Sequence, residues 1–183
     1  MLLDAARSQF LLVDMQERLV PAMHEKDALL DRCAILLEAA SELKVPGTVS
    51  EQYRKGLGAT VERLGNARGD APVLEKMHFS AAADPAMAAR VRALAGAGRH
   101  QLVVAGIEAH VCVLQSALGF KDMGLDVYVV ADAVSSRKTE SIDLATKRMR
   151  HNAISVVNTE MVLFEWLHIA GTPQFKAVSR LIK

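Results

Sequence analysis

Asp14 closes the apolar run "FLLVD" (10–14), Lys76 closes "PVLEK" (72–76), and the run "QLVVAG" (101–106) leads into the loop that delivers Cys112. An acid, an amine and a thiol gathered at one sheet edge suffice for nucleophilic hydrolysis. A thiol attacks as its thiolate. A helix N-terminus and a nearby ammonium stabilise that charge. A carboxylate accepts the thiol proton and returns it to a leaving amine. Backbone amides in the turn ahead of the helix are suited to hold an oxyanion. Taken singly, each residue has a structural reading: Asp14 as a turn residue, Lys76 as a solvated strand end, Cys112 as a small buried side chain. Cys33, the other cysteine, stands mid-helix on an apolar stripe and reads as core.

Bringing the three together requires elements that end in the same direction. Six short apolar runs stand out, "FLLVD", "GTVS" (47–50), "PVLEK", "QLVVAG", "DVYVVA" (126–131) and "AISVVN" (153–158), most of them nearly continuous, as in strands covered on both faces. Helical patterns lie between most of them. Residues 27–43 repeat apolar positions at spacings of three and four. Residues 84–98 open with Asp84 and Pro85 as cap and first helical residue. Residues 139–151 and 159–171 each open on a threonine read as a cap. Strand and helix in alternation predict a doubly wound parallel α/β sheet, whose ligands collect at the carboxyl ends of the strands. Residues 51–71 are less regular, with one short helix expected inside a long connection. Gly56 and Gly58 there lack the third glycine and the leading strand of a dinucleotide loop.

Composition narrows the class. The chain has 183 residues, 51% hydrophobic and 23% charged, with a formal net charge of +1. That predicts one globular domain spanning 1–183. Lys and Arg form no basic stripe, so nucleic-acid binding is not expected. No apolar run has the roughly 18 residues of a membrane span. Asp4 and Arg7 are at odds with a signal peptide, and two cysteines are too few for a disulfide scaffold or a zinc cluster. A cytoplasmic, reducing setting is expected.

The segments "FLLVDMQ", "EKMHFSA" and "VVAGIEAHVCV", in this order and at these intervals, resemble the three catalytic segments of the isochorismatase-like cysteine hydrolases, a superfamily that includes nicotinamidases and carbamoyl-amide hydrolases. "TVSEQYRKGLG" and "GIEAHVCVLQ" look most like the branch of isochorismatase domain-containing proteins. The resemblance implies a three-layer α/β/α sandwich with a six-stranded parallel, Rossmann-like sheet. It implies a catalytic triad of Asp14, Lys76 and Cys112, a cis Ile107–Glu108 peptide, oxyanion donors in the backbone N–H groups of Glu108 and Cys112, and assembly into homo-oligomers. Two departures refine it. The metal-binding Asp-x-His pattern of nicotinamidases is replaced by "SEQYRKGLG", and His24, His78, His100, His110, His151 and His168 form no ligand pair, so no metal or other cofactor is expected. Cys112 itself argues against isochorismate hydrolysis, because isochorismatases proper lack that cysteine.

The expected reaction is hydrolysis of a C–N bond in a small amide or carbamoyl compound through a thioester. Gln52, Tyr53, Phe79 and His110 are candidate pocket residues, with a plain loop for the first two and core packing for Phe79 as alternatives. His110 is two residues from Cys112, a spacing that does not bring side chains face to face. Asp132 and Arg137 are expected to fix the loop after the fifth strand. The rival class is a non-catalytic oligomeric scaffold. Trp166 and Phe164, also two apart, predict one side chain in the core and one against a neighbour. Cys112 is expected to be more reactive than Cys33, although Lys76 and Asp14 pull its pKa in opposite directions.

Overall fold

The computed structural model describes residues 1–182. Six parallel strands form one sheet: β1 (Ser8–Val13), β2 (Gly47–Gln52), β3 (Val73–Lys76), β4 (Gln101–Ile107), β5 (Asp126–Ser135) and β6 (Ser155–Val157), in the spatial order β3-β2-β1-β4-β5-β6. The order reverses direction between β1 and β4. That switch point is where an open α/β sheet presents a crevice at its carboxyl edge, and it is where Asp14 and the Cys112 turn emerge.

Side-chain alternation explains the continuous apolar runs. Phe10 and Leu12 of β1 and Val103, Ala105 and Ile107 of β4 join one core with Leu36 and Leu37 of α1 (Lys26–Glu42) and Trp166 of α7 (Thr159–Leu167). Leu11 and Val13, with Leu102 and Val104, face the other way. They pack with Met87 and Val91 of α4 (Pro85–Gly96), Phe120 of α5 (Leu114–Asp122) and Met149 of α6 (Thr139–His151). Because strand residues alternate between faces, a strand with helices on both faces must be apolar at every position. The result is the expected α/β/α sandwich. Truncating a side chain as buried as Phe10 is expected to cost about 3–5 kcal/mol.

Several boundaries differ from the sequence reading. Asp84 caps α4 as expected, its Oδ1 accepting from the N–H groups of Ala86 (3.1 Å) and Met87 (3.2 Å). Thr159 does not cap α7. Asn158 does, accepting from the Met161 N–H at 2.8 Å, while the Thr159 hydroxyl and N–H both bond Asp132. Thr139 is already inside α6, whose cap position is Lys138 without a side-chain cap bond. α7 stops at Leu167, and a separate helix, α8 (Pro173–Ser179), follows. Residues 51–71 hold two short helices, α2 (Arg54–Leu57) and α3 (Glu62–Ala67), rather than one. Trp166 is buried and its indole N–H donates to Ser8 Oγ at 2.9 Å, while Phe164 is half exposed.

β1 and β4 approach closely at the switch point, and one glycine permits it. Gly106 has φ +114, and a Cβ there would sit 2.1 Å from the Val13 carbonyl oxygen and 2.7 Å from its nitrogen. Both are backbone atoms of a central strand, so neither can move aside. Gly106→Ala is therefore expected to lose more than about 3 kcal/mol of stability in urea denaturation. Gly96, at the end of α4 with nothing within 4 Å of its missing Cβ, is the control, and its alanine variant should be neutral or slightly stabilising.

Candidate active site

The Asp14 side chain is completely buried immediately after β1 and accepts two strong hydrogen bonds. Ser50 Oγ donates to Oδ1 at 2.6 Å and Lys76 Nζ donates to Oδ2 at 2.7 Å. Its backbone takes φ 51, and its N–H donates to the Ser50 carbonyl. Lys76 ends β3, which lies two strands from β1 with β2 between them. Its ammonium reaches across to Asp14 and donates in addition to Gln52 Oε1 at 2.7 Å and to the carbonyls of His78 and Phe79 at 3.2 Å. A buried ion pair is tolerable only when such extra bonds satisfy its remaining donors and acceptors. Gln52 is itself clamped, its Nε2 donating to the Met77 carbonyl and its N–H to Gln16 Oε1.

Cys112 lies in a π-helical turn, Ala109–Val113, between β4 and α5. Π-turns of this kind recur at functional sites. The Ile107–Glu108 peptide that enters the turn is cis. Cys112 is 7% exposed. Its pKa is pushed up to about 12, first by burial and then by the negative charge of the Asp14 carboxylate; Lys76 pulls it down and Glu108 adds a smaller upward push. Cys33 is pushed up as well, by complete burial and by Asp132, and its Sγ rests 3.6 Å from the Ala133 carbonyl with no ammonium beside it. The structure thus brings Asp14, Lys76 and Cys112 together and keeps Cys33 apart in the core.

The other candidates divide. Gln52 stands behind Lys76 as its hydrogen-bond partner instead of presenting a free amide. Tyr53 is 46% exposed, with its ring lying over Gly56, and Phe79 is 56% exposed rather than packed in the core. Phe79 lies outside because the carbonyls of residues 78 and 79 turn inward to Lys76. His110 makes no hydrogen bond to the thiol; its Nδ1 meets Ser136 Oγ at 2.9 Å. Arg137 bonds Glu108 Oε2 through Nε (3.0 Å) and its N–H (3.2 Å) and so anchors the loop after β5 as expected, whereas Asp132 lies within β5 and holds Thr159 at the start of α7 instead of that loop. Ser50 and Ser136 were not singled out by sequence. A serine inside an otherwise apolar buried strand is the signal that points to Ser50.

Comparison with known proteins identifies the family. The isochorismatase domain model matches residues 8–161. The chain belongs to the isochorismatase family. It is 35% identical over 181 residues to isochorismatase domain-containing protein 2 of Danio rerio, covering 98% of this chain and 89% of that one. It superposes with TM-score 0.92 and 31% identity on a chain described as MAR1 ribonuclease from Caenorhabditis elegans, covering 100% of this chain and 92% of the other. The octameric hydrolase of unknown specificity encoded by ycaC in Escherichia coli shares the fold, with TM-score 0.91 and 24% identity over 99% of this chain and 90% of that one. The fold is that of an isochorismatase-family hydrolase, and no described helix is long and apolar enough to cross a membrane.

A thiol held at this pKa rests protonated at neutral pH. Its anion forms only as pH rises toward the folded-state value, so an ordinary thiol ionises well before it. The far-ultraviolet absorbance of thiolate, taken as the difference between wild type and Cys112→Ser, should therefore stay near zero through pH 9. About three quarters of ordinary thiols are ionised there. A difference signal saturating by pH 9 would contradict a thiol held protonated by burial and by the Asp14 charge.

Proposed function

We propose that this chain hydrolyses a C–N bond in a small amide or carbamoyl compound, with Cys112 as nucleophile, Asp14 as proton carrier and Lys76 as the fixed positive charge beside both. The observation that supports it most is a fully buried carboxylate, held by a buried ammonium, whose charge bears directly on the Cys112 thiol. Since the thiol rests protonated, attack and deprotonation must be coupled. The sulfur forms a bond to the substrate carbonyl carbon as its proton passes to Asp14. The carbonyl oxygen takes the negative charge and is held by the backbone N–H groups of Glu108 and Cys112. Asp14 then gives the proton to the leaving nitrogen, the C–N bond breaks, and a thioester remains on Cys112. Water attacks the thioester with Asp14 as base. The C–S bond breaks, the acid leaves, and the thiol recovers its proton. The sum is amide plus water to acid plus amine, with no redox partner needed.

Ribonuclease action, as in the description of the Caenorhabditis elegans neighbour, draws no support from this chain's charge, since a net +1 without a basic stripe offers little to a phosphate backbone. A scaffold role has one specific support, the exposed apolar side chains Met161, Phe164 and Ile169 at the C-terminal helices. That surface suits a homo-oligomer, which is compatible with catalysis, so we assign it to self-association of the enzyme.

The test is ammonia release from a panel of small amides, ureas and carbamoyl compounds. Wild type should turn over at least one member without added metal and after chelation. Cys112→Ser should lose at least about a thousandfold in kcat. Activity surviving in Cys112→Ser, or a wild type silent on the whole panel, would remove the assignment. The active preparation should sediment as a species larger than 19.8 kDa.

A further inference from the structure

We infer that Gln52 is a positioning residue that acts on Cys112 through Lys76: its side-chain carbonyl fixes the Lys76 ammonium while adding no charge, which leaves the ammonium's field free to bear on the thiol. The inference rests on the reading of Cys112 as nucleophile and names a residue that tunes it.

The Lys76 ammonium has three protons and four acceptors. Asp14 Oδ2 and Gln52 Oε1 each lie at 2.7 Å, and the carbonyls of His78 and Phe79 each lie at 3.2 Å. One acceptor is charged and three are neutral, so the ammonium is satisfied geometrically and is paired with a single acid. Lys76 opposes the effect of Asp14 on the thiol, and a second carboxylate on Nζ would side with Asp14. Gln52 is locked in its role. Its Nε2 donates to the Met77 carbonyl at 2.8 Å, its N–H donates to Gln16 Oε1 at 2.7 Å, and its own carbonyl accepts from Gln16 Nε2 at 3.0 Å. Both glutamines are buried. With a carbonyl facing Nε2 and an ammonium facing Oε1, only one orientation of the amide satisfies both contacts.

Strand register explains why an amide stands there and not an acid. Gln52 and Lys76 are cross-strand partners in β2 and β3, and Glu51 and Glu75 are partners one position earlier. Neighbours along a strand face opposite ways. Ser50 and Gln52 therefore share one face, where Ser50 serves Asp14 and Gln52 serves Lys76. Glu51 turns to the other face. Its Oε1 accepts from the N–H and hydroxyl of Thr60 at 2.7 and 2.8 Å, and its Oε2 lies 3.3 Å from Arg54 Nε. Glu75 Oε1 accepts from the Arg54 N–H at 3.1 Å. A buried carboxylate thus lies one residue away, and the alternation of β2 keeps it off the ammonium.

The test is the rate of Cys112 alkylation, located by mass spectrometry. It needs no substrate and no turnover, so it and the ammonia panel fail independently. Gln52→Glu keeps an acceptor of the same size and adds a charge, whereas Gln52→Met removes the acceptor and adds none. With iodoacetamide at neutral pH, Gln52→Met should slow labelling of Cys112 about threefold and Gln52→Glu about tenfold, the latter equal to one pKa unit from an added carboxylate. A merely structural role predicts the reverse order, since only Gln52→Glu retains a bond to Lys76. Iodoacetate, an anionic reagent of nearly the same size, reads the charge itself. Gln52→Glu should slow it more than it slows iodoacetamide, and Gln52→Met should slow both alike. An unlabelled Cys33 reports an intact fold. If label on Cys33 shows that Gln52→Glu loosens the fold, Gln52→Met decides alone. A wild-type rate in Gln52→Met, or folded Gln52→Glu reacting as fast as Gln52→Met, would overturn the inference and leave Cys112 as nucleophile. A wild-type Cys112 that does not label would overturn both.

Discussion

The Lys76–Asp14 ion pair, at 2.7 Å with neither side chain exposed, is the constraint around which the carboxyl edge of the sheet is built. Burying two charges costs several kcal/mol per ion, which a single contact does not offset. The structure meets that cost with a dense set of bonds. Ser50 supports Asp14, while Gln52 and the carbonyls of His78 and Phe79 support Lys76. These bonds tie β1, β2 and β3 together at one level. Removing either charge would leave the other buried and unpaired, at about 3–5 kcal/mol. Such an arrangement is costly for a purely structural purpose, and the polar face it maintains is the one that Cys112 meets.

The two cysteines differ in their charged neighbours more than in their burial. Both are buried and both have raised pKa values. Beside Cys33 the acid is Asp132, which pairs at the half-exposed surface with the Arg32 guanidinium at 3.7 Å. Beside Cys112 the acid is Asp14, and Lys76 opposes its effect. A carboxylate that raises a thiol's pKa also offers its proton a destination. In the proposed reaction Cys112 therefore does not need to be a standing thiolate, because its proton passes to Asp14 as the carbon–sulfur bond forms.

The fold and the three central residues were legible because each depends on local pattern. Continuous apolar runs between helical repeats give parallel strands, and their polar ends give Asp14, Lys76 and the Cys112 loop. What was not legible depends on partners distant in sequence. Ser50 and Asp14 are 36 residues apart and His110 and Ser136 are 26 apart, and no periodicity links them. Thr159 reads as a helix cap until Asp132, projecting where β5 departs from regular register with β4, takes its hydroxyl and leaves the cap to Asn158. Phe79 reads as core by type, but the inward turn of its carbonyl to Lys76 leaves its ring outside.

The central claim is that Cys112 is a nucleophile tuned by Lys76, whereas Cys33 is inert core. Brief treatment of the folded protein with iodoacetamide at neutral pH, followed by mass spectrometry to locate the label, tests it most directly. The account predicts label on Cys112 and none on Cys33. It predicts slower labelling of Cys112 in Lys76→Met, because the ammonium that lowers the thiol's pKa is gone, with Cys33 still unlabelled. Equal labelling of both thiols in folded wild-type protein, or a Cys112 that does not react, would contradict it.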